Sequence, residues 1–522
     1  FLFSLLLLVI RNYSSAEKIT LGIDLNEPVA VTDPKFLSFT IDPDNSKRDR
    51  CRFSTHFERS VNLMRALSPA YLRLGGPRST LFHFADQNSE ENGKKRKIVL
   101  SGELRRLIEI QKTIPSFSIR QIPLRFKNPV AETGWINLNN ASCTESDWVL
   151  AHQWAEKAGL DVIACVSPDD RRRRTIEGGE DALEIIPFSD HMGFNANWQL
   201  GYGKSSFTEP QIRCNLTGND LGRQTLDLRK SLNQFPRYSN SVITGPDVVI
   251  YDNEKHLNYL RDYFSVAIPA LSAITWHPIN VITRLESLSS DLASITLDNG
   301  GAFIHQDNLE EDKEELLKAI GRFVDDRPLW IVEAESRPEE CKNLYIGALI
   351  LARRLGNSAR ANVNVIMRQP ADLTYPTPDY WVSLLHKTLV GRQVFDAKIR
   401  SVGNEDHIYL YCQCASNRHE DGSIVIFGVN LNPSEVTFHL EGINATERVH
   451  EYVLTPGFDA PNRMFAETIF LNDKLLTLIN DTVPEMRPKI LNDTKTHGVD
   501  LRLQSGSIGF WIIPNLKIKS CM

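Results

Sequence analysis

The feature that most limits the fold is a repeat of texture. From Phe36 to Met367, eight short apolar runs alternate with longer amphipathic segments. The runs are Phe36–Ile41, Tyr71–Leu74, Asp161–Val166, Asn197–Leu200, Val242–Thr244, Ala273–Trp276, Leu329–Val332 and Val363–Met367. Each is too short for a helix and apolar enough to be buried on both faces, as strands of a parallel sheet are. Between them, Phe53–Leu67, Trp148–Ala158, Lys255–Phe264, Asp312–Val324, Cys341–Leu355 and Tyr380–Leu389 carry apolar residues at helical spacing. Strand–helix alternation predicts a parallel sheet with helical crossovers, and eight such units close a barrel. Residues 36–392 are therefore expected to form a (β/α)8 TIM barrel of the α/β class.

In such a barrel the residues at the C-terminal ends of the strands face the substrate. Here they are Asp42, Gly75-Gly76, Gly201-Tyr202-Gly203, His277, Glu333 and Gln369. Glu333 is placed as a nucleophile would be, because the run Leu329–Val332 ends directly on its carboxylate.

After about Gly391 the texture changes to alternating apolar and polar residues broken by Gly, Asn, Asp and Pro, as in His407–Cys412, Ser423–Val429 and Val436–Leu440. That period of two predicts a C-terminal antiparallel β-sandwich over 393–522, packed against the barrel. Residues 17–35 lie before the first barrel strand, and Lys18–Ile23 within them is expected to add a strand to that sandwich. Such a two-part organisation suits 522 residues, more than one core usually organises.

Phe1–Ile10 is apolar and is followed by Arg11, Asn12 and Ser14-Ser15-Ala16. Residues 1–16 thus read as the apolar core and cleavage site of a secretory signal peptide, with the initiator Met and basic start missing. The apolar stretch is too short to span a bilayer, which takes about 20 residues. Sequons at Asn140, Asn215, Asn444, Asn480 and Asn492 become candidate glycosylation sites in an exported chain. Eight cysteines in so long a chain suggest a few bridges, not a disulfide scaffold. These features predict a secreted protein of the matrix or cell surface, peripherally associated and with no integral span; the lysosome and an uncleaved anchor are the alternatives.

Several segments taken together resemble glycoside hydrolase family 79, the heparanase family. They are Leu67-Ser-Pro-Ala-Tyr-Leu-Arg-Leu-Gly-Gly76, Gly245-Pro-Asp247, Thr275-Trp-His277, Met367-Arg-Gln369, Pro378-Asp-Tyr-Trp-Val-Ser-Leu-Leu385 and Leu389-Val-Gly391. The likeness runs from about Phe36 to Cys521. It implies a barrel plus a β-sandwich and cleavage of internal glucuronide linkages of heparan sulfate with retention. It also implies a nucleophile after strand seven, where Glu333 stands, and an acid/base after strand four. Asp42, His277 and Gln369 match positions that contact the saccharide, Gly76 and Tyr202 are further candidate substrate contacts, Tyr202 standing where the family has Asn, and Cys412 with Cys521 match the sandwich disulfide of the family.

At the acid/base position the chain departs from the family. The family reads Trp-Glu-Leu-Gly-Asn-Glu-Pro-Asn there, whereas this chain reads Trp198-Gln-Leu-Gly-Tyr-Gly-Lys-Ser205. Gly203 replaces the acid. Retaining hydrolysis needs two carboxyl groups about 5 to 5.5 Å apart, one to attack and one to protonate the leaving oxygen and later activate water. Glycine does neither, and Glu209 lies beyond a stretch that already matches the family's continuation. The loop after Glu333 is also changed, to Arg337-Pro-Glu-Glu340, and the loop between Gln369 and Pro378 is shorter.

Two basic clusters bear on an anionic partner. Arg171, Arg172, Arg173 and Arg174 follow the third strand, on the substrate side of the expected barrel, and could hold sulfate groups through forked hydrogen bonds. Lys94–Lys97 lies where the family carries an excised linker and reads as a solvated surface or a processing site. The net charge of −6 and the lack of aromatic–basic interleaving argue against nucleic acid. No His-Glu-x-x-His, paired Cys-x-x-Cys, phosphate loop or Gly-x-Ser-x-Gly occurs, so neither a metal nor a cofactor is expected. Two functions remain. One is a heparan sulfate-binding protein, for the chain or its proteoglycans, with impaired turnover. The other is an active retaining endo-β-glucuronidase whose proton donor is not recognised.

Overall fold

The structure is a computed structural model. It describes residues 17–41, 57–75, 83–85, 142–166, 181–200, 217–249, 254–277, 309, 313–314, 317, 321, 327–332, 343–370, 373–400, 407–443, 448–491 and 499–522.

Eight parallel strands close a barrel in chain order. With β1 (Glu17–Asp24) preceding them, they are β2 (Leu37–Ile41), β3 (Ala70–Leu74), β4 (Leu160–Val166), β5 (Asn197–Leu200), β6 (Ile243–Val249), β7 (Ala273–His277), β8 (Leu329–Val332) and β9 (Val365–Arg368). Each corresponds to one of the eight apolar runs. The ring closes where β9 pairs with β2, Met367 opposite Ser38. Side chains alternate as the strand period requires. Leu72, Val162, Ala164, Trp198, Ile274, Trp276, Ile331 and Ile366 face the helices, while Tyr71, Ile163, Ala273, Trp330, Val332, Val365 and Met367 fill the inside.

The crossovers include α1 (Phe57–Ala66), α2 (Glu145–Ala158), α3 (Asp181–His191), α4 (Gly218–Leu232), α5 (Glu254–Ala267), α6 (Tyr345–Arg360) and α7 (Pro378–Leu389). Apolar spacing had not singled out α3 and α4. In α4 the start is marked by a capping box, in which Thr217 Oγ1 accepts from the Asp220 N–H and the Asp220 carboxylate accepts from the Thr217 N–H. Of the helix expected over 312–324, only scattered residues are described.

Helix α7 is tied to the chain on either side of the turn between α1 and β3. The Tyr380 hydroxyl of α7 donates to the Leu63 carbonyl at 2.9 Å, and Lys387 Nζ donates to the Pro69 carbonyl at 2.5 Å. Asp379 is buried beside Arg368, which also donates to Ser383 Oγ at 2.9 Å. These contacts join α7 to the barrel wall.

The remaining strands form a second sheet. Its backbone is β10 (Val390–Arg400), β11 (Ile408–Ala415), β12 (Ile424–Asn430), β13 (Val436–Leu440), β14 (Val449–Pro456), β15 (Val499–Leu503) and β16 (Ser507–Ile513), and β1 belongs to it. β10 begins where α7 ends, so no linker separates barrel from sheet. Val425, Phe427 and Phe510 face the barrel side. Ile424, Ile426 and Trp511 face a second core shared with Ile19, Leu21, Phe438 and Leu501, so the sheet folds over itself. Phe438 and Trp511 meet edge to face across it, with centroids 5.0 Å apart.

Two expectations are corrected here. The sheet is mixed, not purely antiparallel, because β1 pairs in parallel with β13 while pairing antiparallel with β10. A parallel neighbour needs a long connection, and the whole barrel supplies it.

The disulfide joins Cys414 to Cys521, not Cys412 to Cys521, and Cys412 is a buried thiol. Both candidates lie on the same face of β11, so alternation does not separate them. Height along the strand does. Cys414 lies at the hairpin end, opposite Ile424, near Gly422, whose N–H holds the Cys521 carbonyl at 2.9 Å. Its Cα is 5.3 Å from that of Cys521. Cys412 lies two residues, about 7 Å, further along the strand, where a bridge would need backbone movement.

Candidate functional site

The mouth of the barrel is set by where the strands stop. β8 ends at Val332, one residue before Glu333, and β2 ends at Ile41, one residue before Asp42. Glu333, Asp42, Gly76, Arg171, Arg172, Arg173, Arg174, Tyr202 and Gly203 lie outside the described residues, as do Asn140, Asn215, Asn444 and Asn492. Of the predicted saccharide contacts, His277 and Gln369 are described. His277 closes β7, is buried, and shares the inward parity of Ala273. Gln369 follows β9, is also buried, and shares the parity of Met367. Asn480, the one described sequon asparagine, is exposed at a turn with φ 49°.

Reading strand ends one at a time missed a polar wall inside the barrel. Arg73 on β3 is fully buried, and its Nε donates to Gln199 Oε1 on β5 at 2.9 Å. Thr244 Oγ1 on β6 reaches the same oxygen at 3.4 Å. Thr40 on β2, opposite Arg73 in register, and Thr275 on β7, opposite Trp330, are buried with hydroxyls that find no protein partner. Cys165 on β4 pairs in register with Gln199 and is partly exposed.

A signal for this wall was present in the sequence. A charged residue in the middle of Tyr71-Leu-Arg-Leu74 cannot face the apolar helices, so it must face the barrel axis. Gly75 is required for the same reason of space, since a Cβ there would lie 2.3 Å from Cys165 Sγ and 2.9 Å from Arg73 Cζ.

Chemically, these described residues can donate and accept hydrogen bonds to a polar ligand and carry one fixed positive charge. No cluster of three or more His, Cys, Asp or Glu able to hold a metal occurs among the described residues.

No family model matches the chain. A heparanase from Gallus gallus is 26% identical, covering 99% of this chain and 98% of its own length. Inactive heparanase-2 from Homo sapiens is 23% identical, covering 96% and 89%. Among solved structures, the family 51 α-L-arabinofuranosidase AbfB from Bifidobacterium longum superposes with a TM-score of 0.58 at 11% identity, covering 94% of this chain and 99% of its own, which is a likeness of fold. Aligned nearly end to end with heparanases and with inactive heparanase-2, on a barrel and sheet of the kind glycosidases use, the chain is heparanase-like.

Proposed function

We propose that the protein binds heparan sulfate, as a free chain or on a proteoglycan, in the mouth of its barrel and turns it over poorly. The carrying observation is the sequence after β5, where Gly203 stands at the position of the proton donor while Glu333 follows directly on β8. His277, Gln369 and the wall of Arg73, Gln199 and Thr40 supply polar groups at the same end, and Arg171–Arg174 follows β4 at that end in sequence. Export through residues 1–16, glycosylation at Asn480 and the other sequons, and a matrix or cell-surface location complete this reading. The second reading, an active endo-β-glucuronidase with another donor, is favoured by the end-to-end match to a heparanase.

Leaving groups separate the two. With a nucleophile and no acid, a glucuronide bearing a nitrophenolate or fluoride should still glycosylate Glu333, and the covalent intermediate should accumulate because no base activates water. Azide, which needs no base, should speed its release. Heparan sulfate should be cut about 10² to 10⁴ times more slowly than with a general acid in place. Glu333→Gln should abolish the activated reaction, and Gly203→Glu with Tyr202→Asn should raise cleavage of the natural chain. Brisk cleavage by the unmodified protein, untouched by Glu333→Gln, would defeat both the nucleophile and the argument from the missing acid.

A further inference from the structure

The two layers of the second sheet end unevenly. One layer runs from β10 through β1 and β13 and stops at β15, whose outer edge has no strand beside it among the described residues. The other runs from β10 through β11, β12 and β16 to β14, then continues through Ile469–Leu471 to Lys474–Leu475. Residues 504–506 carry β15 straight into β16, where Ile508 stands opposite Leu454, and Leu454 in turn opposite Leu471. At its Leu503 end, the outer edge of β15 therefore opens toward strands that the shorter layer does not cover.

That uncovered floor is apolar. Thr455, Phe470 and Leu475 are register partners on the face turned away from the barrel, since their neighbours Leu454 and Leu471 pack on the barrel side. Leu475 is 47% exposed, and Phe458, edge to face with Phe470 at 5.7 Å, is 74% exposed. The loop holds Phe458 in place. The Gly457 N–H donates to the Thr468 carbonyl at 2.9 Å, the Glu467 N–H donates to Asp459 at 2.8 Å, and the Arg463 guanidinium lies 4.2 Å over the Phe458 ring. Along β15 itself, Val499, Leu501 and Leu503 enter the core between the layers, while Asp500 and Arg502 face out. Asp500 accepts from His439 Nδ1 at 2.7 Å, whereas Arg502 is exposed opposite Thr437, which leaves its charge for a neighbour on the other side.

We propose that the outer edge of β15 receives one extended peptide strand from a partner protein, apolar at alternate positions and acidic between them. Its main chain would continue the hydrogen-bonded ladder, as strands added to open sheet edges do. Its inward side chains would settle on Phe470, Phe458 and Leu475 and remove that apolar surface from water. Its outward carboxylates would stand across from Arg502. A second copy does not fill the position through its own β15. Antiparallel pairing about a two-fold axis would drive the two projecting floors into each other, and parallel pairing would turn Asp500 and Arg502 onto the apolar floor. The proposal does not depend on what the barrel mouth binds.

The test uses the full chain and a capped synthetic peptide of alternating Glu and Val, beside one of alternating Lys and Val and one with the Glu and Val grouped apart. Hydrogen exchange should slow in residues 499–503 when the Glu–Val peptide is added. That peptide should bind about tenfold more tightly than the Lys–Val peptide at low salt, and Arg502→Glu should reverse the order. Phe458→Ser, a change at an exposed side chain, should weaken binding about tenfold with circular dichroism unchanged. Unchanged exchange in residues 499–503, or equal binding of the grouped peptide, would overturn the proposal. Protection of residues 499–503 that grows with protein concentration in the absence of peptide would give the edge to a second copy and overturn it as well.

Discussion

Lys387 shows how a single charge is handled at the closed end of the barrel. Its amine is held against the Pro69 carbonyl, and burial pulls its pKa down to about 7, with Asp33 opposing and Lys35 adding to the shift. Its ordinary value is 10.5. Between those values the unfolded chain holds a proton that the folded chain has released, so this group makes stability rise with pH from about 7 to about 10. Below that window the folded state carries the cost of holding a partly buried ammonium. Lys387→Met should therefore stabilise the protein most at the acid end, and its advantage should shrink as pH rises. Urea midpoints measured in parallel across the window check this, and a difference constant with pH would refute it. At this scale the sequence was least legible. Lys387 looks like an ordinary surface lysine on α7, and Cys412 and Cys414 share parity, so only three-dimensional height decided the bridge.

Helix α6 is the element that fastens sheet to barrel. Its first residue, Tyr345, is fully buried and donates one hydroxyl to two carbonyls, those of Leu454 and Gly506, each at 3.0 Å. Further along, Gly356 meets Tyr411 so closely that a Cβ would lie 2.2 Å from the ring. The Tyr411 hydroxyl donates to Asn357 at 2.7 Å. Tyr345→Phe keeps the ring but leaves two buried acceptors unserved, which should cost about 1 to 3 kcal/mol in chemical denaturation. No change in midpoint would mean that water replaces the hydroxyl.

Elements of this kind were legible when their period was long and apolar, as for the eight barrel strands and α7. They were missed where a helix was announced by caps more than by its apolar face, as at Thr217. The parallel partner of β1 was missed because strand period gives the face of a residue but not the direction of its neighbour.

At the scale of the whole molecule, the chain's start and end are woven together. β1 lies between β10 and β13, while β2 and β3 complete the barrel between β9 and β4. β1, and the adjacent pair β2 and β3 taken together, are thus flanked on both sides by strands that come after residue 141. α1 adds Leu63 under Tyr380 and an ion pair of Arg59 with Asp481 at 2.7 Å. His83–Ala85 pairs in parallel with Ser142–Thr144, so the two ends of the intervening segment lie side by side. That segment includes the basic run Lys94–Lys97. Cutting there breaks one covalent link but none of these pairings, and a barrel lacking two strands would expose the Trp330 and Met367 interior to water. A trypsin nick confined to Lys94–Lys97 should therefore give two fragments that elute as one particle in native gel filtration, with the thermal transition still cooperative. They should separate only in denaturant. Release of the N-terminal fragment under native conditions would show that the pairings of β1, β2 and β3 do not hold the two parts without the covalent link.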